Sequence, residues 1–287
     1  MDSAKPPRVK DQLAELEVKP SKQRGQNFLH REETASRIAD FSGVGDQDVV
    51  LEIGPGLGML SRQLSARAKR LIVVEVDRRL ADDLEKNIPG ISVDDIICQD
   101  VRTVELSSIA KARDANKLCV VANAPYSISS EIVAWVIEQR EFVSSATLLL
   151  QKEFAERAAA DPGSKRYGAL SVFCGQYTSA ELGFVVDGKQ FHPPANVDSR
   201  LIKLTIREQP RAAVADPITF REVVRTAFSM RRKMLSNSLS SVCGLGESSA
   251  AAELLNDVGI DPKRRPETLS IEEFAAISNE VSARKAT

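Results

Sequence analysis

Four stretches of the chain carry residue types and spacings suited to chemistry. The first is Glu52-Ile53-Gly54-Pro55-Gly56-Leu57-Gly58, three alternating glycines behind an acid. Glycines there let the backbone approach a ligand closely, and a helix opening after them offers free N–H groups. On its own such a loop is as readily a tight turn that holds nothing. Two later acids favour a ligand. Glu75 follows about 20 residues on, where a carboxylate can accept hydrogen bonds from both hydroxyls of a ribose. Asp100 is placed to take an adenine amino proton. The spacing departs from the dinucleotide fingerprint, and no pyrophosphate cradle is evident. It favours S-adenosylmethionine over a nicotinamide cofactor.

The second stretch is Asn123-Ala124-Pro125-Tyr126. An Asn oxygen and a nearby backbone carbonyl are two acceptors for the two protons of an exocyclic amine. Held that way, the nitrogen lone pair leaves conjugation with its ring and points at a methyl donor. Tyr126 offers a face for a stacked base, worth about 1–3 kcal/mol. The third stretch, Phe191-His192-Pro193-Pro194-Ala195-Asn196-Val197-Asp198-Ser199, is stiffened by consecutive prolines, so Phe191 could close the other side of a base sandwich. The alternatives are an ordinary Asn-Pro turn and a phenylalanine that plugs the core.

The fourth is a set of cations: Arg225, Arg231, Arg232 and Lys233 on one helical stretch, Lys263-Arg264-Arg265, and Lys152, Lys165 and Arg166 near the expected cleft. Such groups contact phosphates and set position rather than sequence. The competing reading is a solvated helix face.

These residues need a scaffold. Val49–Ile53, Leu71–Val76, Ile91–Cys98, Leu118–Ala122 and Ala146–Leu150 read as strands, with helical patterns between them, notably Met59–Ala68 and Ile128–Arg140. A further short helix is expected at Arg31–Phe41. Strands alternating with helices imply a parallel sheet covered on both faces. Leu182–Val186 and Leu201–Ile206 lack an intervening helix, which suggests an antiparallel pair at the sheet's end. After Pro210 only helical patterns remain: Phe220–Leu239, Ala250–Val258 and Ile271–Val281. The chain therefore divides into a flexible arm at 1–24, a ligand-binding α/β domain at 25–208 and a small all-α domain at 209–287.

Composition limits the rest. A chain of 287 residues with 43% hydrophobic and 28% charged residues can build a sizeable core. A net charge of -1 argues against coating nucleic acid by bulk charge. Four scattered cysteines and two histidines suggest neither a disulfide framework nor a metal site. No apolar run spans a membrane and the first residues carry no secretory pattern, so a cytoplasmic protein is expected.

Together the motifs resemble the ribosomal RNA adenine N6,N6-dimethyltransferase family, which modifies small-subunit RNA. The resemblance covers about Lys22 to Leu269. It includes Gly25-Gln26-Asn27-Phe28-Leu29, the glycine loop, the Asn-x-Pro-Tyr tetrapeptide and Gln151-Lys152-Glu153-Phe154-Ala155-Glu156-Arg157. Tyr167-Gly168-Ala169-Leu170-Ser171, the Phe191 loop and Phe228–Leu239 complete it. It implies a Rossmann-like class I methyltransferase with a mostly parallel seven-stranded sheet and a helical C-terminal domain. It implies donor contacts from Asn27, Leu29, Gly54, Gly56, Glu75, Asp100 and Asn123, and a target-adenine pocket of Asn123, Tyr126 and Phe191. It further implies a pre-ribosomal small-subunit substrate; of the cations above, Lys152, Arg231, Arg232 and Lys233 are the expected RNA contacts, nothing demands more than a monomer, and the methyl transfer requires no metal. The Val197-Asp198-Ser199 ending and the long C-terminal helices look closer to archaeal and eukaryotic members. Ala124 stands where the family usually has a larger aliphatic residue. The alternatives are a methyltransferase acting on large-subunit RNA and a non-catalytic RNA-binding assembly factor.

Overall fold

In the computed structural model, residues 8–21, 25–241 and 247–285 are described. In chain order the first elements are α1 (Val9–Glu15), β1 (Phe28–Leu29), α2 (Glu32–Ser42), β2 (Val49–Ile53), α3 (Met59–Ser65), β3 (Arg70–Glu75), α4 (Arg78–Asn87) and β4 (Ile96–Cys98). Next come α5 (Leu106–Ala112), β5 (Leu118–Asn123), α6 (Ser129–Glu138), β6 (Val143–Gln151), α7 (Lys152–Ala158) and α8 (Ala169–Tyr177). The last are β7 (Thr178–Val186), β8 (Phe191–His192), β9 (Ser199–Ile206), α9 (Pro217–Ser229), α10 (Leu235–Leu239), α11 (Ser248–Asp257) and α12 (Ile271–Lys285).

The chain forms two compact units. One holds the residues up to Ala155 together with Glu181–Ile206; the other holds Glu156–Ala180 and the residues from Arg207 on. The helical unit therefore takes in α8 as well as the C-terminal third, whereas the sequence suggested a single cut near position 208. The reason is packing: Tyr167 and Val172 share a buried core with Phe220, Val224, Leu235 and Phe274.

The first unit is built on a seven-stranded sheet of order β4-β3-β2-β5-β6-β9-β7. β2 pairs in parallel with β3 and β5, β3 with β4, and β5 with β6, while β9 runs antiparallel to β6. All five residues of β2 are buried, as a central strand covered on both faces requires. The chain winds outward from β2 through β3 to β4, then crosses back to β5 on the other side of β2. That reversal is the switch point where open α/β sheets leave a crevice at the carboxyl ends of their strands.

Three local expectations change. Residues 8–21 of the expected arm are not a free tail: α1 buries Val9 and Leu13, which pack with Val18 against Phe28, Leu57 and Leu80. The strand expected at Ile91–Cys98 shrinks to Ile96–Cys98, because Asp95 is buried to receive the guanidinium groups of Arg70 and Arg113 at 2.8 and 3.2 Å. The helix expected at Phe220–Leu239 breaks after Ser229 and restarts at Leu235. There the backbone N–H groups of Leu235 and Ser236 find the carbonyls of Arg264 and Pro262 instead of an earlier helical turn.

Among the described residues no helix is long and apolar enough to cross a membrane.

Candidate active site

A cavity of about 460 Å³ opens at the carboxyl ends of β2, β3, β4 and β5. Its walls are Gly25–Leu29, the β2–α3 loop, the end of β3, Gln99–Arg102 after β4, and Asn123–Ile128 after β5. Asn27, Leu29, Gly54, Gly56, Glu75, Asp100, Asn123 and Tyr126 all line it.

The glycine loop has the shape its residues dictate. Gly54, Gly56 and Gly58 have φ of +65°, +58° and +74°, a region side chains disfavour. A Cβ on Gly56 would lie 2.9 Å from the Phe28 ring, so the loop tolerates no side chain there. The Gly56 N–H donates to Glu75 Oε2 at 3.2 Å, and the Asp77 N–H donates to Oε1 at 3.0 Å. Each carboxylate oxygen thus holds one backbone donor and keeps capacity for another, which suits a vicinal diol. Burial pushes the Glu75 carboxyl above its ordinary value, and these backbone donors oppose the rise.

Asp100 closes the far wall. Its carboxylate caps the next turn through the Arg102 N–H at 3.0 Å and pairs with the Arg102 guanidinium at 2.5 Å. The hydrogen bond from that guanidinium, first, holds its pKa below the usual carboxylate value.

Asn123 ends β5 beside the loop. Its Nδ2 donates to the Asn27 backbone carbonyl at 3.1 Å, which leaves Oδ1 as an acceptor with no hydrogen-bond partner among the described residues. Ala124 is buried, and its N–H donates to the Leu149 carbonyl at 3.2 Å. Ala124 is among the residues that line the cavity, and its backbone hydrogen bond fixes the loop's geometry. Tyr126 starts a short turn, and its hydroxyl and that of Ser199 hydrogen-bond to each other at 2.6 Å. Burial raises the Tyr126 pKa against that hydrogen bond, so the ring is neutral.

Phe191 requires a correction. It is 1% exposed and lies in the core with Leu29, Ile38, Leu149 and Leu201, not on the cavity wall. β8 pairs antiparallel with β1, setting Phe191 opposite Leu29. A phenylalanine in a short strand buries more apolar surface behind the sheet edge than beside a wet cleft. Its role is to hold the Asn27–Leu29 segment in place. Phe191→Leu should therefore lower stability by about 1–2 kcal/mol and leave the methylation rate of the folded protein within about twofold; urea unfolding and single-turnover kinetics read the two.

Of the expected RNA contacts, Lys152 is exposed at the start of α7, and Arg231, Arg232 and Lys233 occupy the exposed turn between α9 and α10, not a helix face. Arg231 and Arg232 line a pocket with Lys165 and Arg265. Arg231 also donates to the Tyr167 and Lys165 carbonyls at 2.7 and 3.2 Å, and Arg264 is paired with Glu273, so both have structural duties. No group of three or more potential metal ligands occurs among the described residues.

Sequence reasoning passed over two members of the site. Glu52 was read only as part of the glycine spacing, yet it lines the cavity and is 1% exposed. The signal was available: one acid inside the apolar strand Val49-Val50-Leu51-Glu52-Ile53. Ser199, the partner of Tyr126, carried no local signal.

A mostly parallel sheet with a reversed strand order, a left-handed glycine loop, a buried acid at the end of β3 that holds two backbone donors and an Asn-x-Pro-Tyr turn after β5 define a Rossmann-like class I methyltransferase. The sequence profile of the family described as ribosomal RNA adenine dimethylase matches residues 18–282. The chain is 43% identical over 254 residues to the ribosomal RNA small subunit methyltransferase A of Myxococcus xanthus (strain DK1622), covering 88% of each. It is 39% identical over 282 residues to the protein of the same name from Bacillus thuringiensis (strain Al Hakam), covering 97% of each. The crystal structure of the 23S rRNA methyltransferase ErmE is similar with a TM-score of 0.65 and 26% identity, covering 89% of this chain and 100% of that one. The chain belongs to the ribosomal RNA adenine dimethylase family. The two curated relatives are bacterial, so the archaeal and eukaryotic affinity suggested by the loop ending finds no support in them.

Proposed function

We propose that this chain transfers methyl groups from S-adenosylmethionine to N6 of two adjacent adenosines in a loop near the 3′ end of small-subunit ribosomal RNA, during assembly of the subunit. The observation that carries the reading is the fixed Asn123 amide, whose free Oδ1 stands in the same cavity as the diol-binding Glu75 and the glycine loop. Two names point to the small subunit, those of the Myxococcus and Bacillus relatives.

The residues present fit the donor. The glycine loop forms a cradle that side chains would fill, Glu75 presents two oxygens to a ribose, and Asp100 is an acceptor at the purine end. When bound, S-adenosylmethionine supplies an electrophilic methyl on a sulfonium. Asn123 Oδ1 and the backbone after it accept both protons of the target amine and hold its lone pair toward that methyl. Tyr126, anchored through Ser199, gives the base a face to rest on. Orientation is the main service, since it converts an encounter into a near-attack geometry. Asn123 is no base, so the amine's surplus proton leaves for solvent. An adenosine buried in a duplex could not enter, so the substrate base is unpaired or flipped.

The chain acts as a monomer, in the cytoplasm, on ribosomal precursors. Lys152, Arg232 and Lys233 contact RNA phosphates, with Arg231 shared between that task and its carbonyl partners. The double variant Arg232→Gln, Lys233→Gln should weaken RNA binding and reduce the slope of log affinity against log salt by about 2, measured by filter binding at several ionic strengths.

Incubation with labelled donor and separate small and large ribosomal particles, followed by mapping of the modified nucleotide, tests the proposal. Label on small-subunit adenosines supports it. Label confined to the large subunit would instead favour the reading suggested by ErmE, and no label with retained RNA binding would favour an assembly factor.

A further inference from the structure

Asp100 is assigned above to the purine end of the donor, yet its carboxylate already has a full set of partners. The Arg102 backbone N–H donates to Oδ1 at 3.0 Å. The Arg102 Nε reaches Oδ1 and Oδ2 at 3.0 and 3.1 Å, and Nη2 reaches Oδ2 at 2.5 Å. A carboxylate has about four acceptor sites, and the contacts of this one residue fill them. Glu75 differs, since each of its oxygens holds one backbone donor and keeps room for a ligand. Arg102 itself lines the cavity, in the short turn Val101–Thr103 after β4. Its guanidinium therefore stands where an incoming amine would donate.

The pair is of a kind that opens. Arg102 follows Asp100 by two residues, and its side chain is 52% exposed. Ion pairs so open to water are weak, so a ligand displaces one at modest cost. A second acid lines the same cavity. Glu131, in the first turn of α6, places its negative charge where it acts on Arg102. Glu131 accepts from the neighbouring Ser130 hydroxyl at 2.9 Å and pairs with no cation among the described residues.

We infer that Arg102 is a gate on the donor cavity: it occupies Asp100 while the cavity is empty, and the purine amine of the donor displaces it toward Glu131. This rests on Asp100 being the purine acceptor, as proposed above. The guanidinium leaves one carboxylate for another, so neither the cation nor the acid is stranded. The gate lowers donor affinity and gives Asp100 a replacement partner when the spent donor departs. It also discriminates between ligands. An amine takes over the hydrogen bonds that Arg102 gives up. A carbonyl oxygen in its place sets acceptor against acceptor at Asp100, so the closed pair persists.

Titration calorimetry of the full chain tests the gate. The ligands are S-adenosylhomocysteine and its analogue with a carbonyl oxygen in place of the purine amine. Arg102→Ala should bind the amine ligand about two- to fivefold more tightly than the wild type, and the carbonyl analogue no more tightly. A residue that only supports the fold would change both in the same direction. Arg102→Met, which keeps the apolar stem, should repeat the result. Raising salt from about 0.05 to 0.5 M should improve amine-ligand binding by the wild type relative to Arg102→Ala, because salt screens the pair that keeps the gate closed. Glu131→Gln should weaken amine-ligand binding about two- to threefold when Arg102 is present and not at all beside Arg102→Ala. Thermal melts check that each variant is folded.

Weaker or unchanged binding of the amine ligand by Arg102→Ala would overturn the inference, as would equal tightening of both ligands. A Glu131→Gln effect that is the same in both backgrounds would overturn the move to Glu131. If the wild type binds neither S-adenosylmethionine nor S-adenosylhomocysteine, the methyltransferase reading fails. If it binds them and Arg102→Ala brings no amine-specific gain, only this inference fails.

Discussion

Asn123→Ala should slow methylation about 10²–10³-fold, with RNA affinity changed by less than about threefold. The expectation follows from how the amide is held. Its Nδ2 is spent on the Asn27 carbonyl, so Oδ1 is the atom left to receive an amine proton. Alanine removes that acceptor and leaves the rest of the cavity wall standing, because Ala124 and the loop after it are fixed by their own backbone hydrogen bonds. The cations proposed to hold the RNA, Lys152, Arg232 and Lys233, are other residues than those the substitution touches. Single-turnover methylation and equilibrium RNA binding on the same preparation separate the two quantities. Turnover near that of the wild type would remove Asn123 from the reaction. Asn123→Asp adds a finer check: it keeps an acceptor but sets a carboxylate against the Asn27 carbonyl. It should also be slow, because orientation and not the mere presence of oxygen is what counts.

The donor-free protein should lose stability as pH rises from about 4.5 to about 8, and Glu52→Gln should remove much of that loss. The Glu52 carboxyl has an ordinary value of 4.5 and is raised to about 8, chiefly by burial. Between those values the folded chain keeps a proton that the unfolded chain has released. Stability rises with pH only where the unfolded state binds more protons, so here it falls. Below pH 4.5 both states are protonated and the effect is absent; above about 8 it is complete. At about 1.4 kcal/mol per pH unit the full window is worth roughly 5 kcal/mol. Glu75 is raised in the same direction and steepens the decline. The difference between wild type and Glu52→Gln isolates one residue: urea unfolding from pH 5 to 8.5 should give curves that diverge. Parallel curves would show that the carboxyl is hydrated when folded.

Much of this site was legible before folding because it is made of short local signals. Gly54-Pro55-Gly56-Leu57-Gly58, Glu75, Asp100 and Asn123-Ala124-Pro125-Tyr126 each end a strand or follow one closely, and a parallel sheet brings such ends together. The basic turn was visible as residues but misplaced on a helix, since the backbone partners that break the helix, Pro262 and Arg264, lie about thirty residues away. Phe191 was misassigned for a related reason. Its loop chemistry is local, but its burial is decided by Leu29, Ile38 and Leu149, which meet it only in three dimensions. Helix α1 was hidden by the prolines around it, although Val9, Leu13 and Val18 were present as apolar anchors. Tertiary partners far apart in sequence decided each of these cases.

The contact that aims Asn123 ends on a main-chain oxygen. Exchange of residue type at position 27 leaves that oxygen in existence, so the aim of the reacting group is insulated from most point mutations. What governs it is the path of the Gly25–Leu29 segment, which the pairing of β1 with β8 fixes at its far end. Insertion or deletion of a single residue there would reach the chemistry more directly than any change of side chain.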